Sequence, residues 1–301
     1  MTRAASSNSR PVMLAITLVS PDPAALAQAA AVVRAAVAIT SDIPLGEGAL
    51  DLLADSPPVE THQAVKAAVG ALPVDFAVQP VENRRKRLLI ADMDSTIINV
   101  ECLDELADFA GVKDKVSEIT ERAMRGELAF EGALRERVGM LKGLSVDALQ
   151  ACYDDRVKLN PGARTLVRTM AAHGARCALV SGGFTFFTSR VADAAGFHLN
   201  RANTLIEAGG LLTGTVGDPI LGKEAKLAAL REETAALGLI PADALAVGDG
   251  ANDLAMIEAA GLGVAYRAKP IVAAQAHAKV DHADLTALLY FQGYTAAEFA
   301  S

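Results

Sequence analysis

Three polar clusters in the sequence each follow a short apolar run, and their residue types are complementary. The first holds two carboxylates one residue apart, the second joins a hydroxyl to two glycines, and the third adds two carboxylates and an amide. The clusters are Asp92-Met93-Asp94-Ser95-Thr96, Ser181-Gly182-Gly183 and Gly248-Asp249-Gly250-Ala251-Asn252-Asp253. A helix cap would explain one acidic strand end, whereas three polar ends on one sheet edge form a set suited to catalysis.

The chemistry that these residue types favour is phosphoryl transfer. Mg²⁺ is commonly held by one or two carboxylates and a substrate phosphate. Asp92 and Asp249 can supply those carboxylates, with a backbone oxygen near Asp94 as a third ligand. The turn Ser181-Gly182-Gly183, at a predicted helix start, offers a hydroxyl and two amides to phosphate oxygens. The sequence therefore predicts a pocket for a cation and an anion.

The clusters meet only if the runs before them are neighbouring parallel strands. Apolar, β-rich runs occur at 87–91, 176–180 and 244–248, with 262–265 as a fourth. Helical patterns lie between them, at 161–173, 184–195, 223–237 and 251–260. This alternation predicts an α/β fold with a doubly wound, Rossmann-like parallel sheet. The segment 101–158 is helical throughout and predicts a cap over the carboxyl edge of that sheet, where open α/β sheets bind ligands.

The first part of the chain has a different pattern. Residues 1–10 are polar and predict a disordered tail. Residues 11–82 show the order β-α-β-β-α-β, which predicts a ferredoxin-like α+β domain before a catalytic domain at 83–301. Its strands are expected at 12–19, 37–43, 48–54 and 74–79, and its helices at 23–36 and 59–71. The basic run Arg84-Arg85-Lys86-Arg87 is interpreted as a solvated linker.

Composition narrows the class of protein. The 301 residues are more than most single cores use, which predicts two domains. A net charge of −8 and 4% aromatic residues argue against a general nucleic-acid or membrane-surface binder. Three widely spaced cysteines predict reduced thiols in a cytoplasmic protein. The apolar run at 12–19 is short for an export signal, and no segment is long and apolar enough to span a bilayer.

The quoted motifs resemble those of the haloacid dehalogenase-like hydrolases. DMDST resembles the DxDxT signature of that family, and the clusters at 181–183 and 248–253 resemble its later motifs. Four segments in order, DMDSTIINVECLDELA, FEGALRERVGMLKGL, VSGGF and AVGDGAND, are similar to the phosphoserine phosphatases within the family. The resemblance covers about 87–295. More loosely, the N-terminal domain resembles the regulatory ACT-type module that some members carry.

The resemblance implies roles for the acidic residues. Asp92 is the expected nucleophile, which becomes an aspartyl phosphate, and Asp94 the expected general acid and then base. Asp92 must be ionised and bound to Mg²⁺ while Asp94 carries a proton, so we expect their pKa values to differ. Asp249 completes the expected metal ligands. Asp253 either supports the metal site or simply caps the helix at 251–260.

The resemblance also implies the groups that bind the phosphate. Ser181, Gly182 and a lysine are expected to contact its oxygens. By its position in the family pattern that lysine is expected to be Lys226, which also lies beside leucines on a helical pattern, with Lys223 one turn earlier as the competitor. Asn252 matches a position at which the family contacts substrate.

The cap holds the residues expected to select the substrate. The helical pattern at 130–142 places Arg137 in the middle of an apolar stripe, whereas Arg135 points to the polar side. A guanidinium in that place is costly unless it meets an anion, either the substrate carboxylate or a glutamate of the cap. The resemblance implies the substrate carboxylate, and it implies that Glu101 receives the substrate ammonium. Met124 and Phe130 either line the apolar wall or belong to the ordinary core.

The function implied is Mg²⁺-dependent hydrolysis of O-phospho-L-serine to L-serine and phosphate, the last step of serine biosynthesis. A phosphotransferase, or a phosphatase for another small amino-alcohol phosphate, would use the same intermediate. A different hypothesis is an amino-acid sensor with an inactive catalytic half. It is disfavoured because the set of expected catalytic residues is intact. That set is Asp92, Asp94, Ser181, Lys226 and Asp249. For the N-terminal domain, serine binding, homodimerisation and a passive role all stay open.

Overall fold

The computed structural model describes residues 12–124 and 127–301, so the predicted disordered tail at 1–10 lies outside it. None of the helices in these ranges combines the length with the apolar character needed to cross a bilayer.

The N-terminal unit has the predicted order of elements. It consists of β1 (Val12–Val19), α1 (Pro23–Ala36), β2 (Ser41–Gly46), β3 (Ala49–Ser56), α2 (Pro58–Val69) and β4 (Asp75–Pro80). The strands run antiparallel in the order β2-β3-β1-β4, as a ferredoxin-like unit requires. The second strand begins at Ser41 instead of 37, because Val37 is still bonded to Val33 as the C-cap of α1.

The rest of the chain forms the predicted α/β core with a helical insertion. In chain order its elements are β5 (Leu88–Ala91), α3 (Cys102–Phe109), α4 (Lys113–Met124), α5 (Phe130–Gly139), α6 (Val146–Arg156), α7 (Ala163–Ala172), β6 (Arg176–Phe184), α8 (Thr185–Ala195), β7 (Leu199–Asn203), β8 (Leu205–Ala208), β9 (Leu211–Val216), α9 (Lys223–Ala236), β10 (Ala244–Gly248), α10 (Leu254–Ala259), β11 (Leu262–Tyr266), α11 (Pro270–Ala273), β12 (Ala278–Val280) and α12 (Ala287–Phe291).

The core sheet is parallel, in the order β12-β11-β10-β5-β6-β7. All four residues of β5 are buried, as expected for a central strand with helices on both faces. Because β5 lies between β10 and β6, the three polar clusters lie at the carboxyl ends of three adjacent strands. The doubly wound sheet predicted from the sequence is confirmed.

Three features of the core escaped sequence analysis. The edge strand β7 has the polar sequence LNRAN, which lacks an apolar run. The antiparallel pair β8–β9 lies outside the main sheet, and β12 is only three residues long. The helix predicted at 251–260 is also shorter, since residues 251–253 form turns before α10 begins at Leu254.

The described part of 101–158, the segment predicted to be a cap, contains helices α3 to α6. The β8–β9 pair supports it from the core side. The Gly143 N–H donates to the Leu212 carbonyl, and the Leu212 N–H donates to the Leu144 carbonyl, at 2.9 and 2.8 Å. The two segments that connect the cap to the core lie side by side, and Ile98 and Leu159 form an antiparallel bridge between them. Backbone contacts therefore hold the cap at the loop between α5 and α6 and at the two segments that join it to the core.

The interpretation of 84–87 as a solvated linker was wrong for Arg84 and Lys86, whereas Arg85 and Arg87 are exposed. Arg84 forms an ion pair with the fully buried Asp51, and the Lys86 ammonium donates to the carbonyls of Asn83 and Ala242. Arg85 binds Glu298 and lies over the Tyr294 ring. This run is instead a packed connector, because distant acidic and carbonyl groups surround it.

The N-terminal sheet continues into the core sheet. β4 pairs with β12 antiparallel at Phe76 and Lys279, which gives one ten-stranded sheet. The buried carboxylate of Asp75 accepts the N–H groups of Asp281, His282 and Ala283. Helices α1 and α2 cover one face of the N-terminal sheet, and the C-terminal segment with α12 packs on the other.

Candidate active site

The parallel sheet brings the three polar clusters to one edge. Asp92 directly follows β5, and Asp249 directly follows β10, its neighbour. Ligand oxygens of Asp92, Asp249 and Asp253 lie within 4.8 Å of one another. The carboxylates that were predicted to hold a cation are therefore close together, and Asp253 joins them.

A lysine lies among these carboxylates. The Lys226 ammonium is 2.6 Å from Asp92 Oδ1 and 2.6 Å from Asp253 Oδ1, and only 2% of the residue is exposed. Burial alone would lower the pKa of Lys226, but the two carboxylates outweigh it and hold the pKa above its ordinary value. Lys223, the competitor, is exposed, and its ion pair among the described residues is with Glu224.

The contacts of the Asp253 side chain distinguish between its two predicted roles, support of the metal site and a simple helix cap. Its side chain is fully buried and makes no capping hydrogen bond to α10. It instead accepts from Lys226 and from the Gly250 N–H at 3.1 Å, and thereby shapes the loop that holds Asp249. The alternative of a simple helix cap is wrong.

The acidic cluster carries more negative charge than Lys226 can balance. Burial raises the pKa of Asp92, the Asp253 charge adds to this effect, and Lys226 opposes it. Burial, then Asp253 and Glu101, raise the pKa of Asp249 to about 6. Oxygen donors with surplus negative charge are the ligand set that suits a hard divalent cation, so the residues present fit such an ion.

Asp94 has different neighbours from Asp92. Its carboxylate accepts the Cys102 N–H at 3.2 Å and the Ser181 hydroxyl at 3.3 Å, and its side chain is not among the three grouped carboxylates. Burial and then the charge of Glu101 raise the pKa of Asp94 to about 7. A carboxyl group with that pKa is partly protonated at neutral pH, as a general acid requires.

Residues 181–183, which the sequence predicted as a turn, form a bulge within the last residues of β6 and lie close to Asp94. The Ser181 hydroxyl accepts the Gly183 N–H at 2.8 Å while it donates to Asp94. A Cβ atom on Gly183 would lie 2.8 Å from Asp94 Oδ2, so only glycine allows this approach. This bulge interrupts the pairing of β6 with β7, whose register shifts between Val180 and Phe184.

The cap places two charged groups opposite this edge. Arg137 is largely buried and donates to the Ala133 carbonyl and to the Thr120 hydroxyl. Among the described residues no carboxylate lies within ion-pair distance of it, although the charges of the cap residues Asp104 and Glu101 act on it from farther away. Burial lowers the pKa of Arg137, which an incoming anion would reverse. Glu101 accepts the Ser95 hydroxyl at 2.6 Å.

One cavity of about 380 Å³ contains nearly all the predicted residues. The predicted residues that line it are Asp92, Asp94, Glu101, Arg137, Ser181, Gly182, Asp249 and Asn252. Lys226 lies behind Asp92. Phe130 also lines the cavity, whereas the side chain of Met124 lies outside the described part of the chain.

Two of the residues that sequence reasoning missed support predicted residues of this site. The backbone N–H of Lys269 donates to the Asp249 carbonyl, and its side chain lines the cavity rim. Asn203 holds the Gly182 carbonyl from behind. Lys269 follows β11 at the same sheet edge, a position that could have marked it, whereas Asn203 ends a strand that the sequence did not reveal.

A doubly wound sheet whose acidic edge lies under a helical cap defines a class of phosphoryl-transfer enzymes. Residues 89–258 match the model of the haloacid dehalogenase-like hydrolases, and the chain belongs to that family. Within the family it is similar to phosphoserine phosphatases. The one from Polaromonas sp. is 46% identical over 223 residues, which are 72% of this chain and 94% of that protein.

Two solved structures extend the comparison. The probable phosphoserine phosphatase from Vibrio cholerae is 33% identical, with a TM-score of 0.78 over 94% of this chain and 88% of that one. A phospho-aspartyl intermediate analogue of a phosphoserine phosphatase is 37% identical, with a TM-score of 0.63 over 68% of this chain and 98% of that one. The first match includes most of the N-terminal unit, and the second covers a part the size of the core and cap.

We expect Lys226→Met to destabilise the protein strongly, because it leaves the buried carboxylates of Asp92 and Asp253 without their cation. The free energy of unfolding should fall by about 3–5 kcal/mol, measured by urea denaturation in buffer without divalent ions. Lys223→Met, which removes an exposed ammonium on the same helix, should change it by less than about 1 kcal/mol. Equal effects of the two substitutions would contradict this account of Lys226.

Proposed function

We propose that this protein hydrolyses O-phospho-L-serine to L-serine and phosphate, the last step of serine biosynthesis. The observation that carries the proposal is one cavity lined both by phosphate-binding groups and by two opposite charges. Ser181, Gly182 and Lys226 suit the phosphate, whereas Glu101 and Arg137 suit the ammonium and carboxylate of an amino acid. The similarity to proteins named phosphoserine phosphatase supports the same substrate.

The reaction would proceed in two steps at Asp92. In the first, a carboxylate oxygen of Asp92 attacks phosphorus, the bond from phosphorus to the seryl oxygen breaks, and Asp94 donates its proton to that oxygen. In the second, Asp94 takes a proton from water, whose oxygen attacks phosphorus and releases Asp92. Phosphate leaves, and both aspartates regain their starting states.

Each neighbouring group would assist one part of this sequence. Lys226, 2.6 Å from Asp92, would hold the nucleophile ionised and oriented. The Ser181 hydroxyl and the amides of the turn would bind phosphoryl oxygens. Burial and then the charge of Glu101 raise the pKa of Asp94, so its proton would be available for the leaving oxygen.

We propose Mg²⁺ as the cofactor, held by Asp92, Asp249 and a backbone oxygen at Asp94. Bound there, Mg²⁺ would neutralise charge on the phosphoryl oxygens. The grouping of Asp92 and Asp249 within the acidic cluster supports these ligands. Asp253 is already bonded to Lys226 and Gly250, so we assign it a supporting role.

We propose that the reaction takes place in the cytoplasm. Whether the protein forms a homodimer stays open. The three cysteines are buried free thiols, which are compatible with a reducing compartment.

Phosphate release from O-phospho-L-serine tests the proposal. We expect release with Mg²⁺, its loss with EDTA, and a fall of about 10⁴-fold or more in Asp92→Asn. Asp55→Asn, which changes an exposed carboxylate of the N-terminal unit, serves as the control and should retain full activity. A wild type that is inactive with Mg²⁺ would refute this substrate. Added alcohol acceptors would then show whether the protein is a phosphotransferase or acts on another amino-alcohol phosphate.

The role of Arg137 makes a prediction about substrate choice. Arg137→Ala should raise KM for O-phospho-L-serine about 10- to 100-fold, because a charged hydrogen bond to its carboxylate is lost. KM for O-phosphoethanolamine, which has no carboxylate, should change little. Arg135→Ala removes an exposed guanidinium of the same helix that pairs with Asp218, and it should affect neither substrate. Equal losses on both substrates in Arg137→Ala would refute carboxylate binding.

A further inference from the structure

Asn203, the last residue of β7, forms hydrogen bonds through both the nitrogen and the oxygen of its side-chain amide. Its amide nitrogen donates to the Gly182 carbonyl at 2.9 Å and to the Leu221 carbonyl at 3.2 Å. Its amide oxygen accepts the Leu221 N–H at 2.7 Å. Only 2% of the residue is exposed, and it does not line the substrate cavity. Both amide hydrogens and the oxygen of one buried side chain are therefore committed to two other segments.

Those two segments are the ones that bind the anion. Gly182 is the middle residue of the 181–183 turn. Leu221 comes directly before Gly222, the N-cap of α9, and α9 carries Lys226 to its contact with Asp92. The Asn203 side chain thus bridges two segments. One is the 181–183 turn, which offers a hydroxyl and amide groups to the anion, and the other is α9, which offers the Lys226 ammonium.

The turn needs such a bridge. The pairing of β6 with β7 is regular up to Val180, opposite Arg201, and resumes at Phe184, opposite Asn203. Residues 181–183 have no partners in the register between these two points, and two of them are glycines with a large conformational freedom. The Asn203 amide therefore takes the place of the missing strand pairing for the Gly182 carbonyl.

We infer that Asn203 is a positioning residue that fixes the spacing between the 181–183 turn and the helix of Lys226. It acts on the phosphate only through those two segments. The inference deepens the proposed function, on which it rests, since it concerns the phosphate-binding groups of the same cavity. A displacement of these donors by a fraction of an ångström would weaken their contacts with phosphoryl oxygens.

A simpler role would be to satisfy buried backbone groups, which any well-packed asparagine can do. Asn200 provides the matched control for that role. It lies on the same strand, and its side chain accepts the Thr188 hydroxyl at 2.8 Å, away from the anion-binding segments. Loss of this bond costs stability without reaching the phosphate site.

The experiment compares Asn203→Ala and Asn203→Asp with Asn200→Ala. The aspartate variant keeps the shape of the side chain and the acceptor for the Leu221 N–H, and it removes the amide donors. We would measure kcat and KM for O-phospho-L-serine, the inhibition constant of inorganic phosphate and the urea unfolding curve. Kinetic constants are referred to folded protein, so a loss of stability alone leaves them unchanged.

We expect both Asn203 variants to lose about 10- to 100-fold in kcat/KM, with kcat reduced and phosphate inhibition weakened. Asn200→Ala should shift the unfolding curve and leave these constants unchanged. If the Asn203 variants that fold match Asn200→Ala in kinetics and phosphate inhibition, the inference is wrong. The aspartate variant keeps this comparison valid if the cavity left by alanine prevents folding.

Failure of the proposed function would be visible separately. If the wild type does not hydrolyse O-phospho-L-serine, calorimetric binding of inorganic phosphate to wild type and variants still tests the role of Asn203. Weaker phosphate binding in the Asn203 variants than in Asn200→Ala would support it. Equal binding, or no binding by the wild type, would overturn it.

Discussion

Lys226 lies between the carboxylates of Asp92 and Asp253 with almost no contact with water, and the arrangement of the sheet edge depends on that contact. A buried ammonium is stable only among anions, and buried anions at this spacing are stable only with a cation. The three groups come from different strands and helices, so their mutual requirement fixes where β5, α9 and the loop before α10 meet. Asp94 and Asp249 do not take part in this contact, so they stay available for the proposed proton transfer and the proposed metal ion.

The cap and the N-terminal unit surround this edge in different ways. The cap supplies Arg137 and Glu101, and the β8–β9 pair fixes its α5–α6 side through backbone hydrogen bonds. The N-terminal unit is joined to the far edge of the core sheet through β4 and β12, and Asp75 binds the backbone that follows β12. The C-terminal segment with α12 covers the face of the N-terminal sheet opposite α1 and α2. This unit therefore contacts the rest of the protein both along the sheet edge and across that face.

The sequence predicted the parts of the site that follow apolar runs. Asp92, Ser181 and Asp249 could be placed together because strand alternation implies a parallel sheet with one carboxyl edge. The pairing of Lys226 with Asp253 could not be predicted, since helical periodicity gives the face of a helix but not its partner. Asn203 was missed because LNRAN has no apolar run, and β7 is recognisable only from its pairing with β6.

The covalent role of Asp92 is the central claim, and trapping the intermediate tests it most directly. The protein would be mixed with phosphate-labelled O-phospho-L-serine and Mg²⁺, quenched in acid within one turnover, and digested for mass spectrometry. This account predicts a phosphoryl group on Asp92 that is absent from Asp92→Asn. Label on Asp94, or rapid hydrolysis with no covalent label on any residue, would contradict it.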